Sequence, residues 1–130
     1  MADAAAFRTA LRRFLHRTDA VASEAGLTSQ RYDLLLMIES AGGKDGIRVT
    51  ELCELLQMQQ TAVTELVKRA VDAGLVTRTP SPDDRRASLL HPSADGRARL
   101  RQAFTELRGD REALAAALDE LDASLAAVDL

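Results

Sequence analysis

The 130-residue sequence predicts a single, mainly α-helical domain with one small β-hairpin. Three observations lead there. Apolar residues recur at helical spacing through most of the chain, two short runs alternate like strands, and glycines or Ser/Thr caps punctuate the periodic segments. The length allows one sizeable core and is too short for two.

The first helix is expected from Asp3 to about Ala25. Phe7, Leu11, Phe14, Leu15, Thr18, Val21 and Ala22 fall along one side, and Arg8, Arg12, Arg13 and Arg17 along the other. Gly26 stops it, as a C-terminal glycine commonly does. Thr28 caps a second helix reaching about Ala41, with Tyr32, Leu35, Leu36 and Glu39 along one side. Gly42 to Gly46 reads as a loop, and Ile47-Arg48-Val49 is long enough only for a small edge strand.

Thr50 is expected to cap a short helix from Glu51 to about Leu56. A turn through Gln57-Met58-Gln59 leads to another helix, Gln60 to Ala73, closed by Gly74. Val63, Leu66, Val67, Ala70 and Val71 form the apolar stripe of that helix, and Gln60, Thr61, Ala62, Glu65, Lys68, Arg69 and Asp72 its outer face. Two short helices on a tight turn, the second polar outside, form a helix-turn-helix pattern. Leu75 to Thr79 and Ala87 to His91 then read as paired strands. The turn between them, Pro80 to Arg86, carries Arg85 and Arg86 near its tip. A basic hairpin directly after a helix-turn-helix is a wing.

Ser93 caps the last segment. Leu100, Phe104, Leu107, Arg111, Leu114, Leu118, Leu121, Leu125 and Val128 follow at alternating spacings of four and three, a heptad seam broken only by Arg111. Gly109 marks either a kink or a helix boundary, so one helix and two both fit. Too little chain remains to cover so long a seam, which predicts a homodimer.

The net charge is −3, yet it is unevenly spread. Residues 60–101 carry eight bases and five acids, net +3; residues 102–130 carry two bases and seven acids, net −5. Aromatic residues make up only 3% and Trp is absent, which disfavours base-stacking sheets and aromatic cages. Apolar runs such as Leu34-Leu35-Leu36-Met37-Ile38 are far below the roughly 20 residues of a membrane helix. The single cysteine, Cys53, fits a reducing cytoplasm, and with His16 and His91 far apart no metal site is expected. No Ser/His/Asp set, phosphate-cradling glycine loop or pair of carboxylates in a recognisable frame appears, so neither an enzyme nor a cofactor is expected.

From Leu27 to Leu100 the chain resembles the multiple-antibiotic-resistance regulator (MarR) family of winged-helix repressors. The resemblance rests on Leu27-Thr28, Thr50-Glu51-Leu52, Thr64-Glu65-Leu66-Val67-Lys68-Arg69, Ala73-Gly74-Leu75-Val76-Thr77-Arg78, Asp84-Arg85-Arg86-Ala87 and Gly96. It implies a winged helix-turn-helix lobe, residues 27–92, between N- and C-terminal dimerisation helices, residues 1–26 and 93–130. It also implies a pseudo-palindromic DNA operator and release by a small-molecule effector. The chain departs from the family at Gln59, where a short capping residue is usual, and at Pro92. Only 38 residues follow the wing, so the final helix is expected to be short or fused.

Gln60, Thr61, Thr64 and Glu65 then stand where major-groove contacts are made. Gln pairs with adenine and Glu accepts from the cytosine amino group, while Thr64 and Ala62 suit a thymine methyl. Lys68 and Arg69 suit phosphates, and Thr50 and Arg48 are lesser candidates for backbone contacts. Arg85 and Arg86 suit a minor groove, and the resemblance implies that Asp84 holds one of these arginines through a salt bridge. His16, Arg31 and Tyr32 are the candidates for an effector cleft, though His16 also reads as an exposed or interface residue and Tyr32 as core. Cys53, among Leu52, Leu55 and Leu56, reads as a small core residue. The competing function is a winged-helix protein-interaction module that does not bind DNA.

Overall fold

The computed structural model describes residues 1–128, with the side chain of Val128 and residues 129 and 130 outside the description. The order is α1 (Ala2–Glu24), α2 (Ser29–Met37), a π-helical turn (Ile38–Gly42), α3 (Val49–Leu56), α4 (Gln60–Asp72), β1 (Val76–Pro80), β2 (Ser88–Pro92), α5 (Ala94–Glu106) and α6 (Arg108–Val128). The helices and the antiparallel hairpin have the expected fold class. Both strands begin one residue later than expected and pair from Val76↔Pro92 to Pro80↔Ser88.

One core joins these elements. Val21 and Ala22 from α1, Leu34, Leu35 and Ile38 from α2 and the π turn, and Leu52 from α3 meet in it. Val63, Leu66, Val67 and Ala70 from α4, Val76 and Leu90 from the hairpin, and Leu100 and Ala103 from α5 join it, with Tyr32, Ile47 and Leu107 among the other members. The stripe read on α4 is the buried one, except that Val71 sits at its edge. Thr28 caps α2 by accepting from the backbone N–H of Arg31 at 3.1 Å. Ser93 caps α5 by accepting from Gly96 at 3.0 Å. Gly26 and Gly74 take φ of +77° and +76° just past α1 and α4, the left-handed conformation that favours glycine.

Four expectations are corrected. Thr50 does not cap α3: the helix starts at Val49 after Arg48, which makes no side-chain cap bond. Ile47-Arg48-Val49 forms no strand beyond a single bridge, Ile47↔Leu90, because the chain enters α3 immediately afterwards. The second helix stops being α-helical at Met37 and widens into the π turn. There Ile38 stays buried while Gly42 lies against Ile47, where a Cβ would stand 3.3 Å from the backbone nitrogen.

The fourth correction concerns the tail. The chain after the wing forms two separate helices, and α6 is 21 residues long, neither short nor fused. The break falls at Leu107, two residues before Gly109. The seam is therefore divided. Leu100 and Leu107 are buried within the chain, and Leu114 and Leu121 face α1, which packs along α6. Phe104, Leu118 and Leu125 remain exposed. Val128, the last seam position, has its side chain outside the described residues.

Candidate nucleic-acid interface

Helix α4 begins after a turn that its sequence makes unusual. Gln57 adopts a left-handed backbone, φ 53° and ψ 48°, and its side-chain amide donates to the carbonyl of Glu54 at 2.7 Å. That local bond helps a non-glycine residue hold a conformation that ordinarily costs about 1 kcal/mol or more. Gln59 precedes the helix in an extended conformation without a side-chain cap. Gln60, Thr61, Thr64, Glu65, Lys68 and Arg69 all lie exposed on the face opposite the buried stripe. Glu65 and Arg69 pair with one another at 3.3 Å, one turn apart. Such an exposed pair is worth only a few tenths of a kcal/mol, so either side chain is free to exchange it for a bound group.

The hairpin rises beside α4. At its neck the N–H of Ser81 donates to the carbonyl of Ala87 at 3.1 Å. Arg85 and Arg86 stand exposed in the turn beyond it. Asp84 does not form the salt bridge that the resemblance implied. Its Oδ1 accepts from the backbone N–H of Arg86 at 2.9 Å, the geometry of a local Asx turn. The carboxylate thus orders the backbone under the arginines and leaves their guanidinium groups free. Among the described residues, Lys68, Arg78, Arg85 and Arg86 take part in no ion pair.

Between hairpin and helix runs a cleft of about 400 Å³, with Gln60 and Thr64 of α4 on one side and Arg78, Asp84 and Arg86 on the other. In the sequence, Arg78 registers only as one more charge. Its parity with the buried Val76 carries the missing signal, since residues two apart share a face of a strand and Val76 packs into the core. Arg48 at the start of α3 also lines this cleft.

A helix-turn-helix whose second helix stands beside a basic hairpin is the arrangement of the MarR family, whose family model matches residues 25–87. Residues 25–87, the winged helix-turn-helix lobe, belong to the MarR family. The fold of the chain is also similar to solved structures of bacterial regulators. A mutant of Escherichia coli MarR complexed with operator DNA superposes with a TM-score of 0.75 at 23% identity, covering 93% of this chain and 89% of that one. A transcriptional regulator of Thermotoga maritima gives a TM-score of 0.64 at 27% identity, covering 94% and 85%. The Mycobacterium tuberculosis regulator MosR, in complex with DNA, gives 0.66 at 25% identity, covering 84% and 77%. Among curated proteins, no sequence matches this chain significantly.

Of the three effector candidates, only His16, exposed on α1, lines the 810 Å³ groove between α1 and α6, together with Phe7, Phe14, Leu114 and Leu121. Arg31 and Tyr32 lie outside that groove. Arg31 is half-buried in the first turn of α2, and Tyr32 is buried in the core. Burial pushes the Tyr32 hydroxyl above its usual range, partly opposed by the nearby Arg111 guanidinium. Arg111, the polar break in the seam, stacks 3.8 Å from the ring centroid of Phe104 and donates to its carbonyl at 2.7 Å. It therefore links α6 to α5 and approaches α2, a role the heptad spacing does not reveal. Cys53 is half-buried against the core, and its thiol donates to the carbonyl of Val49 at 3.3 Å. Among the described residues no group of three or more acidic, His or Cys side chains is placed to hold a metal, and no helix is long and apolar enough to cross a membrane.

Proposed function

We propose that this MarR-family regulator works as a dimeric repressor that binds a pseudo-palindromic DNA operator and is released by a small-molecule effector. The observation that carries the reading is the juxtaposition of the exposed polar face of α4 with a wing whose arginines are free of ion pairs. In that reading α4 lies in a major groove, where Gln60, Thr61, Thr64 and Glu65 meet base edges. Lys68 and Arg69 neutralise phosphates. Arg85 and Arg86 enter the flanking minor groove, whose negative potential attracts guanidinium groups where it is narrow.

A second copy supplies the other half-site, about 10 base pairs away. Support for it comes from Phe104, Leu118 and Leu125, large apolar side chains left exposed on the C-terminal helices. An effector that binds one spacing of the two recognition helices better than the other lowers operator affinity by the same factor by which the operator lowers effector affinity. His16, Arg31 and Tyr32 remain the residues to substitute first in looking for such an effector. The exposed leucines of α6 and the acidic final segment also favour a second reading, a protein-interaction module without DNA binding.

Fluorescence anisotropy distinguishes the two. The DNA upstream of the protein's own gene is titrated beside an unrelated duplex at several salt concentrations. The repressor reading expects tight, steeply salt-dependent binding to the upstream DNA, with Arg86→Ala and Lys68→Ala each weakening it about tenfold. Equal, weak binding to both duplexes at every salt favours the interaction module.

A further inference from the structure

We propose that the cleft between α4 and the hairpin seats a backbone phosphate of the bound duplex, with Arg48 as its anchoring cation and Ser81 as the group that orients Arg48. The proposal rests on the DNA-binding reading above and adds a site to it. Ile47 is fixed against the wing by two backbone bonds with Leu90, at 3.1 and 2.8 Å. Arg48 follows in an extended conformation, immediately before α3. Its side chain reaches across the hairpin to the neck of the wing, where Nη2 donates to Ser81 Oγ at 3.0 Å. Ser81 is one of only two polar or charged residues buried among those described, at 5% exposure.

The hydroxyl engages one of the five guanidinium N–H donors and leaves the others available. Arg48, Arg78 and Arg86 all line the cleft, against one acid, Asp84, which already accepts from a backbone N–H. Three guanidinium groups around one cleft concentrate positive potential there. An arginine left loose on the surface loses rotamer freedom when it binds, and a bond to a buried hydroxyl pays part of that cost in advance. The position also fits the path of the duplex. With α4 in a major groove and the wing tip in the adjoining minor groove, the sugar-phosphate strand dividing the two grooves must pass between helix and hairpin.

The test measures affinity for the operator and for an unrelated duplex as a function of salt, for the wild type and for Arg48→Ala, Arg48→Lys, Ser81→Ala and the Arg48→Ala/Ser81→Ala double variant. Thermal melting of each confirms that it folds. Arg48→Ala is expected to weaken binding to both duplexes by roughly tenfold at low salt, and to reduce the slope of log K against log salt by about one. Arg48→Lys keeps the charge and the slope. Ser81→Ala weakens binding a few-fold at unchanged slope, and the double variant is no worse than Arg48→Ala alone. An unchanged slope in Arg48→Ala overturns the phosphate contact, and additive losses overturn the role of Ser81. If Arg48→Ala does not fold, loss of slope in Arg48→Lys overturns the proposal as well, because the lysine retains the charge. Absence of any salt-dependent binding by the wild type defeats the DNA reading itself, which separates the two failures.

Discussion

At Gly96 the backbone of α5 comes so close to the carbonyl of Leu75 that a Cβ would overlap the oxygen, with the Leu35 side chain behind it at 3.2 Å. The obstructing group is backbone on the short connection between α4 and β1, so it yields less readily than a side chain. Alanine favours helix interiors by up to about 1 kcal/mol over glycine, yet overpacking of this kind costs about 1–3 kcal/mol. Gly96→Ala is therefore expected to destabilise the fold by about 1–2 kcal/mol in urea denaturation. Asp33 has the opposite character. Desolvation, and then the neighbouring Asp19 carboxylate, push its pKa above the usual range. A carboxyl whose folded pKa is raised holds its proton more tightly in the folded state, so stability falls as pH rises from the ordinary value through the raised one. Asp33→Asn is expected to remove that fall and to stabilise the protein at neutral pH. Because Asp33 is an exposed residue, water limits the gain to about 0.5 kcal/mol or less. Thermal melts between pH 4 and 7 check both the sign and the flattening. Neither residue's role is legible in sequence: Gly96 is visible as a motif position without its cause, and Asp19 comes near Asp33 only through the angle at which the turn between α1 and α2 sets the two helices.

Among the elements, α4 and the hairpin were legible because their signals are local. The stripe from Val63 to Ala70 fixes which face of α4 is outward, and turn-forming residues bracket the wing. What sequence could not supply was the partner of each polar group. Asp84 beside two arginines invites a salt bridge, whereas a carboxylate reaches the backbone two residues on at lower entropic cost. Asp84→Ala is expected to loosen the tip. Loss of this bond, worth about 1 kcal/mol, speeds hydrogen exchange at the Arg86 amide by roughly fivefold while the helices are unaffected. Thr50 illustrates the same limit. It is a good capping residue by type, but pairing of Ile47 with Leu90 sets where α3 begins. The heptad spacing of the tail is genuine as arithmetic, and it spans a helix break at Leu107 because residue counting alone does not register a change of axis.

The whole molecule divides its apolar surface unevenly. Leu114 and Leu121 of α6 are half-buried in the groove beside α1, whereas Leu118 and Leu125, seven residues apart on one face, stay open. A second copy is the covering that the proposed function requires. Replacing both leucines by Asp touches no buried contact, so the fold should melt within a few degrees of the wild type. Light scattering is then expected to report a monomer, and operator affinity to fall by at least 100-fold as the second half-site is lost. A dimer that survives both substitutions would place the shared surface elsewhere on α1 or α5.

The π-helical turn gives the chain a place where its length is negotiable. Each residue of an α-helix advances the next by about 100°, so losing one from Leu34 to Met37 swings everything beyond it to another side of the axis. A π turn holds one residue more than its span requires. Between Ile38, fixed in the core, and Ile47, fixed to Leu90, the backbone can surrender that residue by tightening to an ordinary turn, leaving both isoleucines where they are. Homologous chains that differ by one residue in this segment can therefore keep the same core and the same wing, with the difference absorbed inside the turn.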